Sequence, residues 1–535
     1  MLTLPLEPTD DRANPLFKDE SSCAKWLAQL QLTNIQLAHS QLLTQITELN
    51  RYPMRGLERL NTLEQLRETV GYVQDNYSMK LASKPLPLNE SELMVFAAVV
   101  QLWHALVLGY QRCLQAYMAD DRKLAQHAAL LCQRCLLYSG LEIFEHLRTG
   151  YEFDAKLWHQ LHELYALAEE RDLQSAEVSD PLNSKHPRNS CHGIYVKTLL
   201  ACHARPAELT RLQLQLLDVW LAQWGSTVAI ERSYTLSKGD AQPLALDLAS
   251  THGLWAVKLL QHSDSVRYLA MVQLSKLLRV KTILLQQGKT PQQLDLGDRD
   301  NSNDCIDFLT FLHQCWCEER TRFGERPPVT QDAQLCYGME GIYAQLSGRQ
   351  FKPFIRDASV DRESRNQIET FGRVLQGDRH EKKFPPENWH LGNVSILGAR
   401  LTRKDAIGER LGYNQLIALR PGNAETFTLG ATAWAKVTRT GQLQIGVRFL
   451  PGAAEAVSIC ATGLNMTAMD QHVPAFLLQA VPALKVPPSL IIPRDWFQPG
   501  REVEITHQSS VPQRVKMGIS VERGIDYERI SFTIR

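Results

Sequence analysis

The hydrophobic period of this chain changes near residue 320, and a chain with two periods cannot fold as one repeated architecture. Upstream, apolar residues recur at i, i+3 and i+4, the spacing that lines one face of an α-helix. That spacing predicts helices at about 22–48, 57–78, 89–117, 121–148, 154–171, 206–223 and 303–320, separated by Pro, Gly, Asn or Asp signals. Another is expected from a cap at Ser263 or Asp264 to a stop at Gly288, on the spacing of Val266, Leu269, Ala270, Leu274, Leu277 and Leu278. A short hairpin at "TVAIERSY" and "PLALDL" is the expected interruption. Downstream come β-type runs, "AQLCYG", "GIYAQL", "WHLGNVSI", "NQLIALR", "TFTLGATAWAKV" and "QLQIGVRFL", punctuated by turns such as "RPGN" and "RTGQ". Their spacing is that of a small antiparallel barrel. "SLIIPRDWFQPGREVEITH" and "QRVKMGISVERGIDYERISFTIR" supply strands for a second small β-domain.

The expected fold class is therefore multidomain α + β. An all-α helical domain occupies 1–317, a β-barrel 318–460 with a polar insertion at about 350–388, and a second small β-domain 461–535. A length of 535 residues exceeds what one hydrophobic core organises.

Charge excludes one large class of partner. Lys+Arg and Asp+Glu both number 58, so no global cationic field favours nucleic acid, and any anion site must be local. The N-terminal "MLTLPLEPTDDR" is acidic where an export signal needs a basic segment. The most apolar run, Leu93 to Tyr110, carries Gln101 and His104 and follows the capping sequence "LNESE", so it reads as a buried helix and not a transmembrane segment. Eleven scattered cysteines are expected as reduced thiols in a cytoplasm.

Catalytic and metal motifs fail in turn. "QQGKT" at Gln286 to Thr290 lacks the leading glycine of a phosphate loop, with Ile283 in its place, and closes a helix where it should open one. Cys132 and Cys135, and the Cys191-His192 and Cys202-His203 pairs, read as buried thiols and helix histidines. Glu142, His146, His159 and Glu163 would form a metal cluster only if their helices were adjacent; neither pair has a metalloprotease spacing. There is no nucleophile elbow and no dinucleotide glycine fingerprint. The chain is thus expected to be no enzyme, with no catalytic residue, metal or cofactor.

One constellation remains. In "WHLGNVSILGARL", Asn393 and Ser395 stand two apart on a predicted strand, so their side chains leave one face, and Gly398 removes a side chain from the surface nearby. Upstream, "RFGERPPV" places Arg322 and Arg326 on a predicted loop, because Gly324, Pro327 and Pro328 oppose a helix. Together N-x-S-x-x-G and R-x-x-x-R resemble the two-part signature of PilZ domains, bacterial receptors for cyclic di-GMP. "ATAWAKV" and "GQLQIGVRFL" are similar to later barrel strands of that family. The resemblance covers about residues 318–455. Arg51 and Arg55 repeat the R-x-x-x-R spacing, but in a helical region. The gap between Arg326 and Asn393 is longer than usual in the family, an excess assigned to the insertion.

The resemblance implies a PilZ-like barrel that binds cyclic di-GMP through Arg322, Arg326, Asn393, Ser395 and Gly398. The chemistry fits: arginine forks match phosphates and the O6 and N7 acceptors of guanine, and neutral Asn393 reads a guanine edge without repelling phosphate. Trp434 and Arg400 are secondary candidates, for stacking and for phosphate. The expected function is a cytoplasmic bacterial effector that couples the nucleotide to a helical output domain with its own protein partner. The alternative is a PilZ-like adaptor that binds no nucleotide.

Overall fold

Asn34 and Asn89 show how this sequence starts its helices. Asn34 accepts from the Leu37 amide, and Asn89 forms a reciprocal capping box with Glu92. In the computed structural model, which describes residues 6, 8–183, 187–298, 301–318, 328–351, 384–405, 407–462, 472–507 and 512–535, the chain divides into two units. One comprises Met1–Lys84 and Leu88–Arg322, the other Pro85–Pro87 and Phe323–Arg535.

The first unit contains α1 (Glu20–Leu27), α2 (Ile35–Arg51), α3 (Gly56–Ser78), α4 (Glu90–Met118), α5 (Ala128–Thr149), α6 (Ala155–Glu170), α7 (Cys191–His203), α8 (Arg211–Trp224), α9 (Val272–Gln286) and α10 (Ser302–Cys317). Leu63, Leu66 and Val70 of α3, Leu102, Leu106 and Tyr110 of α4, and Leu131 and Cys135 of α5 are buried in a single core. Helix α4 is long and apolar enough to cross a membrane, and half of its most apolar stretch is buried within the unit. Charge inside this core is compensated. Arg67 donates to both Asp180 oxygens at 2.9 and 2.8 Å, and Arg134 forks onto Glu64 at 2.9 and 3.0 Å.

Three expectations for this unit are corrected. The stretch expected as one helix at 22–48 is two, because Asn34 caps a new start. The helix expected from Ser263 or Asp264 begins only at Val272. Ahead of it, Val266–Leu269 forms a strand of a four-stranded sheet in which it lies between Ile230–Glu231 and Leu244–Asp247, with Trp255–Ala256 at the edge. All four residues of Val266–Leu269 are buried, so strand pairing overrode the helical spacing. The expected hairpin also changes: its two arms are not partners, because Val266–Leu269 separates them. In chain order the strands of this unit are β1 (Val178–Ser179), β2 (Arg188–Asn189), β3 (Ile230–Glu231), β4 (Leu244–Asp247), β5 (Trp255–Ala256) and β6 (Val266–Leu269).

The second unit holds two closed barrels. The first comprises β7 (Pro328–Tyr337), β8 (Glu387–Ser395), β9 (Gly398–Arg403), β10 (Leu416–Pro421), β11 (Thr428–Val437) and β12 (Leu443–Phe449), closed in the order β10-β11-β12-β9-β8-β7. The second comprises β13 (Ala454–Ala461), β14 (Val473–Leu478), β15 (Ser489–Pro493), β16 (Glu502–Thr506), β17 (Gln513–Arg523) and β18 (Tyr527–Ile534), closed in the order β13-β14-β15-β18-β17-β16. Closure leaves neither sheet a free edge. "GIYAQL", expected as a strand, belongs to helix α11 (Met339–Ser347). Met339, Ile342, Tyr343 and Leu346 follow helical spacing, and they pack in a cluster with Leu416 and Leu429 of the first barrel and Phe476, Leu478 and Ile491 of the second. Most of the polar insertion expected at about 350–388, residues 352–383, lies outside the described residues.

Candidate functional site

Alternation along β8, β9 and β12 divides the first barrel into an inner and an outer face. Trp389, Leu391, Ala399, Leu401, Leu443, Ile445 and Val447 are buried inside. The outer residues fall into register in three rows. Ser395 pairs with Gly398, then Arg448, then Ala431; Asn393 with Arg400, then Gly446, then Trp434; His390 with Thr402, then Gln444, then Lys436. Three cations stand at these positions and no carboxylate does.

Two bulges shape the middle row. One at Gly392 in β8 shifts register just before Asn393, and one at Ala433 in β11 does so just before Trp434; such bulges re-aim the side chains beside them. The indole lies directly over Gly446, where a Cβ would come within 2.1 Å of the Trp434 Nε1. The Arg400 guanidinium takes the corresponding place over Gly392, its Nε 3.2 Å from where a Cβ would stand. Glycine on a neighbouring strand thus lets each of these side chains lie flat along the sheet. Arg400 is exposed and, among the described residues, makes no side-chain hydrogen bond or ion pair.

Asn393, Ser395 and Gly398 meet at one hairpin, with Ile396 and Leu397 at its tip. Ser395 Oγ donates to the Gly398 carbonyl at 3.2 Å. Asn393 Oδ1 is buried with no hydrogen-bond partner, an acceptor that costs free energy as it stands. Gly398 is buried, and a Cβ there would sit 2.1 Å from the Val447 carbonyl oxygen of β12. Close strand approach alone therefore demands this glycine. Arg322 and Arg326 lie outside the described residues.

Arg448 donates to Glu522 of β17, which also accepts from Tyr527 Oη at 2.5 Å. Burial works against the Arg448 charge, but Glu522 outweighs it and holds the pKa above the ordinary arginine value. Burial first, and then the same carboxylate, push the Tyr527 phenol up.

The residues weighed as catalytic or metal-binding are dispersed. His104 pairs with Glu142 at 3.2 Å, His146 faces the Tyr151 carbonyl at 3.3 Å, and His159 pairs with Glu163 of its own helix at 3.5 Å. Among the described residues no group of His, Cys, Asp and Glu could hold a metal, and every cysteine is a free thiol. Burial raises the Cys132 thiol to about 12 and Cys135 well above the ordinary value, so neither is a nucleophile. One relay went unread in the sequence: Ser275 Oγ is 3.0 Å from His313 Nε2, and His313 Nδ1 is 3.0 Å from Glu318. Arg279 Nε donates to the same Nε2 at 3.0 Å, which occupies that nitrogen's lone pair, and Ser275 is buried. A general base facing a substrate is not built there. The cavity between α5, α7 and α8, about 70 Å³, has room for a few waters but not for a nucleotide.

Comparison with known proteins places matches at both ends of the chain. Residues 21–234 match the family model "Cyclic-di-GMP receptor FimW, N-terminal domain", and residues 458–534 match "FimW C-terminal beta-barrel domain". A curated relative, the cyclic-di-GMP receptor FimW of Pseudomonas aeruginosa, is 23% identical over 544 residues, covering 93% of this chain and 88% of that protein. The PilZ resemblance, at about residues 318–455, overlaps neither matched region: the two models leave residues 235–457, with the first barrel, between them, and neither names PilZ.

Proposed function

We propose that this chain is a cytoplasmic, non-enzymatic receptor for cyclic di-GMP, and that its nucleotide site is the outer face of β8, β9, β12 and β11 in a PilZ-type barrel. The observation that carries the reading is that face itself. An unpartnered Asn393 acceptor, the exposed Arg400 and a flat-lying Trp434 share one row with no carboxylate among them. A carbonyl acceptor takes the N1 and N2 donors of guanine, guanidinium forks take phosphate, and an indole offers a stacking surface. The FimW relative is itself a receptor for this ligand.

Arg322 and Arg326 complete the site in this reading. They precede Pro328, which opens β7 and is the register partner of Asn393, by six and two residues. Two residues of chain span at most about 7 Å, a tether short enough for an arginine at position 326 to serve the Asn393 end of the barrel. The chain leaves β7 at Tyr337 and enters β8 at Glu387, the partner of Leu335 at the opposite end of the strand pair, so the insertion is joined to the barrel at the end away from Asn393. The helical region carries the output, through a protein partner.

Calorimetry on the full chain tests the proposal. Cyclic di-GMP is expected to bind, while cyclic AMP and ATP do not, for lack of paired guanine acceptors and bridging phosphates. Ligand at 100 times its Kd stabilises the folded state by about 2.7 kcal/mol, seen as a raised Tm. No heat with cyclic di-GMP at high protein concentration overturns the reading.

A further inference from the structure

The carboxylate that touches the cationic face is supplied by the other barrel. Arg448 stands in the outer row with Ser395 and Gly398, and its guanidinium is held by Glu522. The acid arrives on a firmly docked hairpin. Asn414 Nδ2 donates to the Arg523 carbonyl at 3.0 Å, the Ile525 amide to the Asn414 carbonyl at 3.0 Å, and the Leu416 amide to Asp526 at 2.9 Å. Register shifts lie on either side of Ser520, the second of them between Ser520 and Glu522, the kind of irregularity that re-aims a side chain. The pair is also asymmetric. The Arg448 side chain is 45% exposed and that of Glu522 19%, and Tyr527 Oη holds the acid from behind.

Building on the function proposed above, we infer that Arg448 is a phosphate-contact residue of the nucleotide face held in reserve by Glu522, so that the second barrel sets the affinity of the first for cyclic di-GMP. A phosphodiester and a carboxylate are alternative partners for one guanidinium fork. When nucleotide occupies the row, Arg448 exchanges Glu522 for phosphate. Glu522 keeps the Tyr527 hydrogen bond and is not left unpaired. The exchange costs the Arg448–Glu522 pair, so removing the acid's charge strengthens binding. For a half-exposed pair the gain is about two- to fivefold.

The test is calorimetric titration of the full chain with cyclic di-GMP, with Tm as the check on folding. Glu522→Gln, which still accepts from Tyr527, is expected to bind about two- to fivefold tighter than the parent. Arg448→Ala is expected to bind about tenfold or more weakly, and the double variant to match Arg448→Ala, because the gain from Glu522→Gln requires the arginine. If Arg448→Ala fails to fold, Arg448→Gln keeps a hydrogen bond to Glu522 and takes its place. A parent that binds, with Glu522→Gln no tighter or the Arg448 variant unchanged, overturns this inference and leaves the receptor reading standing. A parent that binds no cyclic di-GMP overturns both.

Discussion

Replacing Gly398 with alanine separates the structural part of the N-x-S-x-x-G motif from its binding part. The new Cβ would sit 2.1 Å from the Val447 carbonyl oxygen and 3.2 Å from its carbon, both main-chain atoms of β12. No rotamer relieves the clash, so β9 and β12 must part by about an ångström, between the Val447–Ala399 and Arg448–Gly398 pairs. Overpacking of this kind costs about 1–3 kcal/mol, and a loosened ladder hydrogen bond adds about 1 kcal/mol. Gly398→Ala is thus expected to destabilise the first barrel by about 2–4 kcal/mol with no nucleotide present. Hydrogen exchange of the β9 and β12 amides, alongside urea unfolding of the free protein, reads this directly. Asn393→Ala is the contrast. Its Oδ1 is buried and unpartnered, so truncation breaks no hydrogen bond of that acceptor and relieves its desolvation cost; stability is expected to stay unchanged or rise, while cyclic di-GMP binding weakens. If Gly398→Ala exchanges and unfolds like the parent, or Asn393→Ala loses as much stability as Gly398→Ala was expected to, the reasoning that separates the two roles is wrong.

Arg322→Ala and Arg326→Ala are each expected to weaken cyclic di-GMP binding by roughly 30-fold to several thousand-fold, the cost of truncating one partner of a desolvated charge pair. Arg322→Lys should also bind more weakly than the parent, since it loses the planar fork. Arg51→Ala, which breaks only exposed pairs with Asp10 and Glu48, should titrate like the parent. In the helical unit, burial lowers the pKa of His162 from 6.5 to about 4, where its nitrogens meet Tyr195 Oη at 2.6 Å and the His252 carbonyl at 2.8 Å. Between pH 6.5 and 4 the unfolded chain therefore binds a proton that the folded chain refuses, and stability falls as pH falls. His162 should cost about 2 kcal/mol between pH 7 and pH 5, a slope that urea titrations would show reduced in His162→Gln.

Much of this architecture is local in origin and readable in the chain. The change of period near residue 320 separates helices from barrels because each periodicity buries one face of one element, whatever that face later meets. The cap at Asn89 and the alternation of "GQLQIGVRFL" are short-range signals of the same kind. The helical spacing of Met339, Ile342, Tyr343 and Leu346 was equally present, but its apolar composition also suits a strand, and a neighbouring core decided the matter. At Val266–Leu269 the order reversed: helical spacing was present in the chain, and pairing with strands about twenty residues or more before it won. Asn393, Ser395 and Gly398 could be picked out as a motif, yet not the reason for the glycine, which is a carbonyl nearly fifty residues further along. The row that joins Asn393 to Arg400, Gly446 and Trp434, and the hold of Glu522 on Arg448, exist only after barrel closure and barrel docking. The sequence by itself determined which face of each strand would be polar. Which strands lie side by side, and so which polar residues share a surface, only the tertiary structure decided, because register and pairing are set by the packing of segments far apart in the chain.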